Sequence, residues 1–124
     1  MGLSTDSDPD VLFAVAMNPR SPKRALMNIA RTGTLGEEVA ENPNVSSTIL
    51  DYLSKSKDWK TRAAVAKSQH VSEASLEALS EDPVGLVRRQ VRQNRLTPKD
   101  TVQRVDDLEE FRAEMHADHE RKAW

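Results

Sequence analysis

The segment Val39-Ala40-Glu41-Asn42-Pro43-Asn44-Val45-Ser46, with Leu50 and Leu53 beyond it, joins an apolar pair to a polar break and then to two leucines three residues apart. These are the marks of a short helix, a tight turn and a second short helix. Proline cannot donate the hydrogen bond that would extend the first helix, and residues three apart share a helix face. Val15, Val65 and Val91 begin the same pattern. Three residues after each valine stand Asn18, Asn42, Ser68 and Asn94; eleven after, Leu26, Leu50, Leu76 and Val102; fourteen after, Ile29, Leu53, Leu79 and Val105. The steps of 24, 26 and 26 residues describe a repeated helix pair.

Composition agrees with an array of small units. The 124 residues are 37% hydrophobic and include only five aromatics, lean for a ball-shaped core. Stacked units need only a thin apolar line, because each buries its stripe against its neighbours. The absence of cysteine excludes disulfides, thiolate metal sites and iron-sulfur ligation by this chain, and it suits a reducing cytoplasm. No run of about 20 apolar residues and no basic head before an apolar core occurs, so a soluble, untargeted, cytoplasmic chain without membrane contact is expected. The net charge of −2 conceals segregation: residues 1–55 sum to −2, residues 56–105 to +4 and residues 106–124 to −4.

Taken in order, residues 1–7 are small and polar and read as a disordered lead. Asp8-Pro9 starts a helix, with Val11 and Val15 on one face, and Asn18-Pro19 stops it. Ser21-Pro22 starts the second helix, with Ala25, Leu26, Ile29 and Ala30 inward. Gly33 and Gly36 weaken the first helix of the second unit. Ser46 and Ser72 are expected N-caps, Asp58 and Asp82 open the third and fourth units, and Arg88, Arg89 and Arg92 point outward. From Thr97-Pro98, Val102, Val105, Leu108, Phe111 and Met115 keep steps of three or four with no breaker, which predicts a long last helix toward Arg121. The domain reading is therefore a lead (1–7), a helical-repeat domain (8–105) and an acidic helical extension (106–124).

The pairs Thr61-Arg62 with Val65-Ala66, Val87-Arg88 with Val91, and Val39-Ala40 with Asn42-Pro43, each closed by Leu-x-x-Leu or its equivalent, resemble the variant leucine-rich repeat family over Asp8 to Val105. The resemblance implies an all-α, short right-handed helical-repeat solenoid of about four units. In it α-helices alternate with shorter, 3₁₀-like helices, in a manner related to HEAT and armadillo arrays. It also implies a binding scaffold without catalytic residues. The cysteine-rich iron-sulfur module of that family's founding member has no counterpart in a chain without cysteine.

Candidate chemistry is sparse. His70 reads as an exposed turn residue. His116 and His119 share a helix face, but two imidazoles fall short of the four ligands a structural zinc takes, so the pair reads as part of a polar tail. No cofactor and no metal site is expected, and no convergent nucleophile, base and oxyanion donors suggest an enzyme. Arg62 and Arg88 occupy the same position in adjacent units and form a row with Arg89 and Arg92. Such a row could follow phosphates, yet it is short, lacks interleaved aromatics and sits in an acidic chain, so pairing with Asp58 and Asp82 or contact with a protein is preferred. Tyr52 and Trp59 depart from the residues at their positions in other units and are the usual anchors of interfaces. The expected function is a non-enzymatic protein-binding module that presents Tyr52, Trp59, Arg62, Arg88, Arg89 and Arg92, with nucleic-acid binding by the basic wall of units three and four as the alternative. The acidic helix is expected to lie across the basic wall or to serve as a dimer contact, leaving a monomer or a dimer through the C-terminal helix.

Overall fold

The structure, a computed structural model, describes residues 8–122, with side chains up to residue 116. The expected lead (1–7) and the side chains of His119 and Trp124 lie outside the described residues. Within them are eight α-helices and no strand: α1 (Pro9–Met17), α2 (Lys23–Arg31), α3 (Gly36–Glu41), α4 (Ser47–Leu53), α5 (Trp59–Lys67), α6 (Glu73–Leu79), α7 (Gly85–Gln93) and α8 (Lys99–Lys122). The odd-numbered helices pack one upon the next, α1 on α3, α3 on α5 and α5 on α7, and α8 closes against α7. The even-numbered helices form a second row behind them, α4 resting on α3 and α5, and α6 on α5 and α7. They are α-helical rather than 3₁₀-like, and no 3₁₀ segment occurs among the described residues.

Local chemistry sets the boundaries. The carboxylates of Asp8 and Asp58 accept from the amides of Asp10 and Lys60, and the hydroxyls of Ser46 and Ser72 accept from those of Ile49 and Ser75, so four helices begin on side-chain caps. Val39, Val65, Val87 and Val91 are wholly buried, as are Leu26, Leu50 and Leu76. Beside the valines lie Ala16, Ala40 and Ala66, also buried, whose small side chains let successive helices approach closely.

Turns between paired helices are tied to the preceding unit by asparagine. Asn42 Nδ2 donates to the carbonyl oxygens of Ala16 (2.7 Å) and Asn18 (3.0 Å), while its Oδ1 accepts from the Asn44 amide (2.8 Å). Asn94 repeats the arrangement with Ala66, Ser68 and Leu96. Ser68 at the same position has an oxygen for the His70 amide but no amide to donate backwards. Ser68→Asn is expected to supply the missing link between units two and three and raise the melting temperature by a few degrees, about 1 kcal/mol for a gained buried hydrogen bond.

The two glycines of unit two have separate uses. Gly33 takes a left-handed conformation (φ +80°), which ends α2 without strain. Gly36 lies so close to α5 that an added Cβ would sit 2.8 Å from both Cγ2 and Oγ1 of Thr61, itself buried. The expected fraying gives way to a six-residue helix that needs its glycine for contact with α5. Gly36→Ala is expected to lower stability by about 1–3 kcal/mol in thermal melts, despite alanine's better helix propensity.

Beyond Val105 the last helix leaves the core. Leu108 is half-buried, whereas Phe111 and Met115 are 58% and 57% exposed. No break in α8 marks residue 105; the change there is from packed to projecting.

Candidate functional site

The arginine row is drawn into the scaffold. Arg62 forks onto Asp82, Nε to Oδ2 at 2.7 Å and Nη2 to Oδ1 at 3.2 Å, while Nη1 donates to the Ser56 carbonyl at 2.8 Å. Its partner is thus the aspartate heading the next unit rather than Asp58 of its own. Arg88 corrects the outward reading: it is 5% exposed, donates through Nη1 to the Asp82 carbonyl (2.6 Å) and pairs through Nε with Glu109 of α8. Arg92 pairs with Asp106 at 2.6 Å, and Arg104 with Glu77 of α6 at 2.9 Å. Arg89 remains exposed. Acidic residues of α8 therefore do meet basic residues of α7, through Asp106 and Glu109.

Arg88 holds the Glu109 carboxyl below the usual carboxylate range, by its hydrogen bond first and its charge as well, against the opposing effect of partial desolvation. A depressed carboxylate pKa stabilises the fold above the unfolded value, and that contribution is lost as pH falls through the folded value. Acidification from about pH 7 to about pH 3 is therefore expected to lower the melting temperature of the wild type more than that of Glu109→Gln, so that the gap between the two closes. A constant gap would show that the pair contributes nothing to the pH dependence.

What remains open on the odd-numbered row is a cleft of about 390 Å³ across α3, α5 and α7, lined by Glu37, Glu41, Trp59, Lys60, Ala63, Ala64, Lys67 and Gln90. Stacking in steps of 26 residues places Glu37, Ala63 and Arg89 in one line and Glu41, Lys67 and Gln93 in the next. Acidic α3 thus meets basic α5. Among the described residues Glu37, Glu41 and Lys67 enter no ion pair, and Lys60 Nζ stands 6.0 Å from the centroid of the Trp59 ring. Lys67 and Gln90 also border a neighbouring cleft with Gln69, Gln93, Arg95 and Leu96, so the concavity continues along α7.

Of the six candidate partner-binding residues, Tyr52, Trp59, Arg62, Arg88, Arg89 and Arg92, Trp59 alone lines this cleft. Tyr52, 48% exposed, sits on α4 in the other row, and the arginines serve the joints described above. The chain matches no protein-family model, no curated protein and no solved structure. Among the described residues no helix is long and apolar enough to cross a membrane, and no group of three or more His, Asp or Glu side chains is placed to hold a metal ion.

Proposed function

We propose that the chain is a short right-handed helical-repeat solenoid, similar to the variant leucine-rich repeats, that acts as a non-enzymatic, cytoplasmic scaffold binding a partner protein along the α3–α5–α7 row. One observation carries the reading: the carboxylates of Glu37 and Glu41 on α3 and the ammonium of Lys67 on α5, none in an ion pair among the described residues, line the same cleft as Trp59 and Lys60. Charges that a fold leaves uncompensated on a rigid wall steer a partner of opposite pattern, and an aromatic in a cleft supplies the anchor. The fitting partner is a segment presenting an apolar side chain for Trp59, basic residues toward Glu37 and Glu41, and acidic residues toward Lys60 and Lys67.

Nucleic acid gains less support from the same face. Arg62, Arg88, Arg92 and Arg104 are already paired with carboxylates, and Glu37 and Glu41 would repel a phosphate backbone. The test is quantitative affinity capture from lysate, with and without nuclease treatment, with wild type, Trp59→Ala, Lys60→Glu with Lys67→Glu, and Tyr52→Ala. A set of proteins lost with both cleft variants and kept with Tyr52→Ala is expected. Capture that survives both cleft variants, or that vanishes on nuclease treatment, would overturn the proposal.

A further inference from the structure

A second open surface lies at the α1/α2 end. Ala25 there is only half-buried, although its counterparts Ile49, Ser75 and Thr101 in later units are covered; Val11 is half-buried too, as is Leu35 at its place in the second unit, while Thr61 and Val87 in the third and fourth are buried. In those units the preceding helix pair does the covering. Among the described residues no helix precedes α1, and Val11, Ala14 and Ala25 line an open apolar groove rimmed by Arg20, Arg24 and Asp10. Asn18 also lines it. Its Oδ1 accepts from the Arg20 amide, as the equivalent oxygens of Asn42 and Asn94 accept from Asn44 and Leu96. Its Nδ2 lacks the backward carbonyl bonds that those two residues make. Among the described residues the first unit therefore presents an uncovered stacking surface on which the Asn18 amide makes no backward bond.

At the other end of the molecule, α8 carries the converse. Phe111 and Met115 continue the line of half-buried Leu108 as an apolar stripe exposed among the described residues, bordered by Arg112 on one side and Glu114 on the other, neither of which enters an ion pair among the described residues. Arg20 and Arg24 likewise enter none. We propose that the projecting part of α8 from one copy of this chain docks in the α1/α2 groove of a second copy, Phe111 and Met115 against Val11, Ala14 and Ala25, with Glu114 opposite Arg20 and Arg24 and Arg112 opposite Asp10. The Asn18 amide is then available to an oxygen of the incoming helix. Because groove and helix are different surfaces at opposite ends, the contact is heterologous, and each added copy leaves one free groove and one free helix.

Two exposed-site variants of the full chain test this by sedimentation velocity: Ala14→Glu with Arg24→Glu blocks the groove, and Phe111→Glu with Met115→Glu blocks the helix. Wild type is expected to show an average mass that rises past twice the monomer as concentration approaches roughly 1 mM. Each blocked variant is expected to stay monomeric, with an unchanged helical circular dichroism spectrum. Mixed in equal amounts, the two are expected to give a one-to-one complex that grows no further, since one intact groove meets one intact helix, and added salt is expected to weaken it. Wild type that stays monomeric throughout, a blocked variant that dimerises alone, or a mixture that remains monomeric would each overturn the proposal. An α8 docked on a different partner would give the first of these results.

Discussion

Replacing Asp82 by alanine is expected to destabilise the fold by about 3 kcal/mol, lowering the melting temperature by roughly 10 °C. Asp82 is the most heavily used carboxylate of the structure. Its side chain, 5% exposed, receives both the Nε and Nη2 of Arg62 and caps the Val84 amide at the start of α7. Alanine leaves the Arg62 guanidinium, 14% exposed at the side chain, without its countercharge in the joint between units three and four. Breaking one side of such a pair costs more than removing both, because the cost lies chiefly in the orphaned charge. Arg62→Met combined with Asp82→Ala is therefore expected to be more stable than the sum of the single changes predicts by about 1–2 kcal/mol, measured as a double-mutant cycle in urea. Strict additivity would mean that Arg62 finds water or another carboxylate as easily as it finds Asp82.

Asn42→Ala is the second large effect, about 2–3 kcal/mol. The residue is 3% exposed, and its amide is shared by the carbonyls of Ala16 and Asn18 while its oxygen holds the Asn44 amide, so truncation strands the Ala16 carbonyl and the Asn44 amide and leaves the Asn18 carbonyl only the Ser21 amide. Asn42→Asp separates the donor from the acceptor. It preserves an oxygen for Asn44 but places a carboxylate against two carbonyl oxygens, and at neutral pH it is expected to be worse than alanine, by about 1 kcal/mol or more. Denaturant midpoints of the three proteins rank them directly. An Asn42→Asp protein as stable as Asn42→Ala would show that water reaches this turn and that the asparagine is not the tie between units one and two.

Much of the helical outline was readable because it depends on neighbours in sequence. Asp8, Ser46, Asp58 and Ser72 cap the amides two or three residues on, and Asn18-Pro19 and Thr97-Pro98 stop and start helices by local sterics. The repeated valine and leucine positions follow from helical periodicity and are buried as expected except for Val102, which is half-buried, as is Val11. Asn42 and Asn94 were legible as breaks, but their amides act on carbonyls more than 20 residues earlier, which local reasoning does not reach. Sequence places Arg88 outward because a charge normally is; its burial depends on a carbonyl of the Asp82 turn and on Glu109, 21 residues later. Helix propensity alone makes Gly36 a weakness, whereas its use is the approach of Thr61.

The cleft shows the same division. Its charges were visible in the sequence, and a register of 26 residues brings Glu41 level with Lys67 and Glu37 level with Ala63. What the register does not give is which charges the fold consumes. Arg62 and Arg88 are spent on Asp82 and Glu109, while Glu37, Glu41 and Lys67 enter no ion pair among the described residues, so the proposed binding surface is the helix faces beside the arginine row rather than the row itself. Trp59 belongs to that surface because it opens α5, and Tyr52 belongs to the other row because it lies on α4.

The central claim, that a partner protein lies along α3, α5 and α7, is tested most directly by hydrogen-deuterium exchange of the chain with and without a partner recovered through the wild-type cleft. Slowed exchange confined to residues 36–41, 59–67 and 85–93, with α4 and α6 unchanged, is the predicted result. Protection that falls on α4 and α6, or on the projecting half of α8 alone, would contradict it and place the binding surface elsewhere on the molecule.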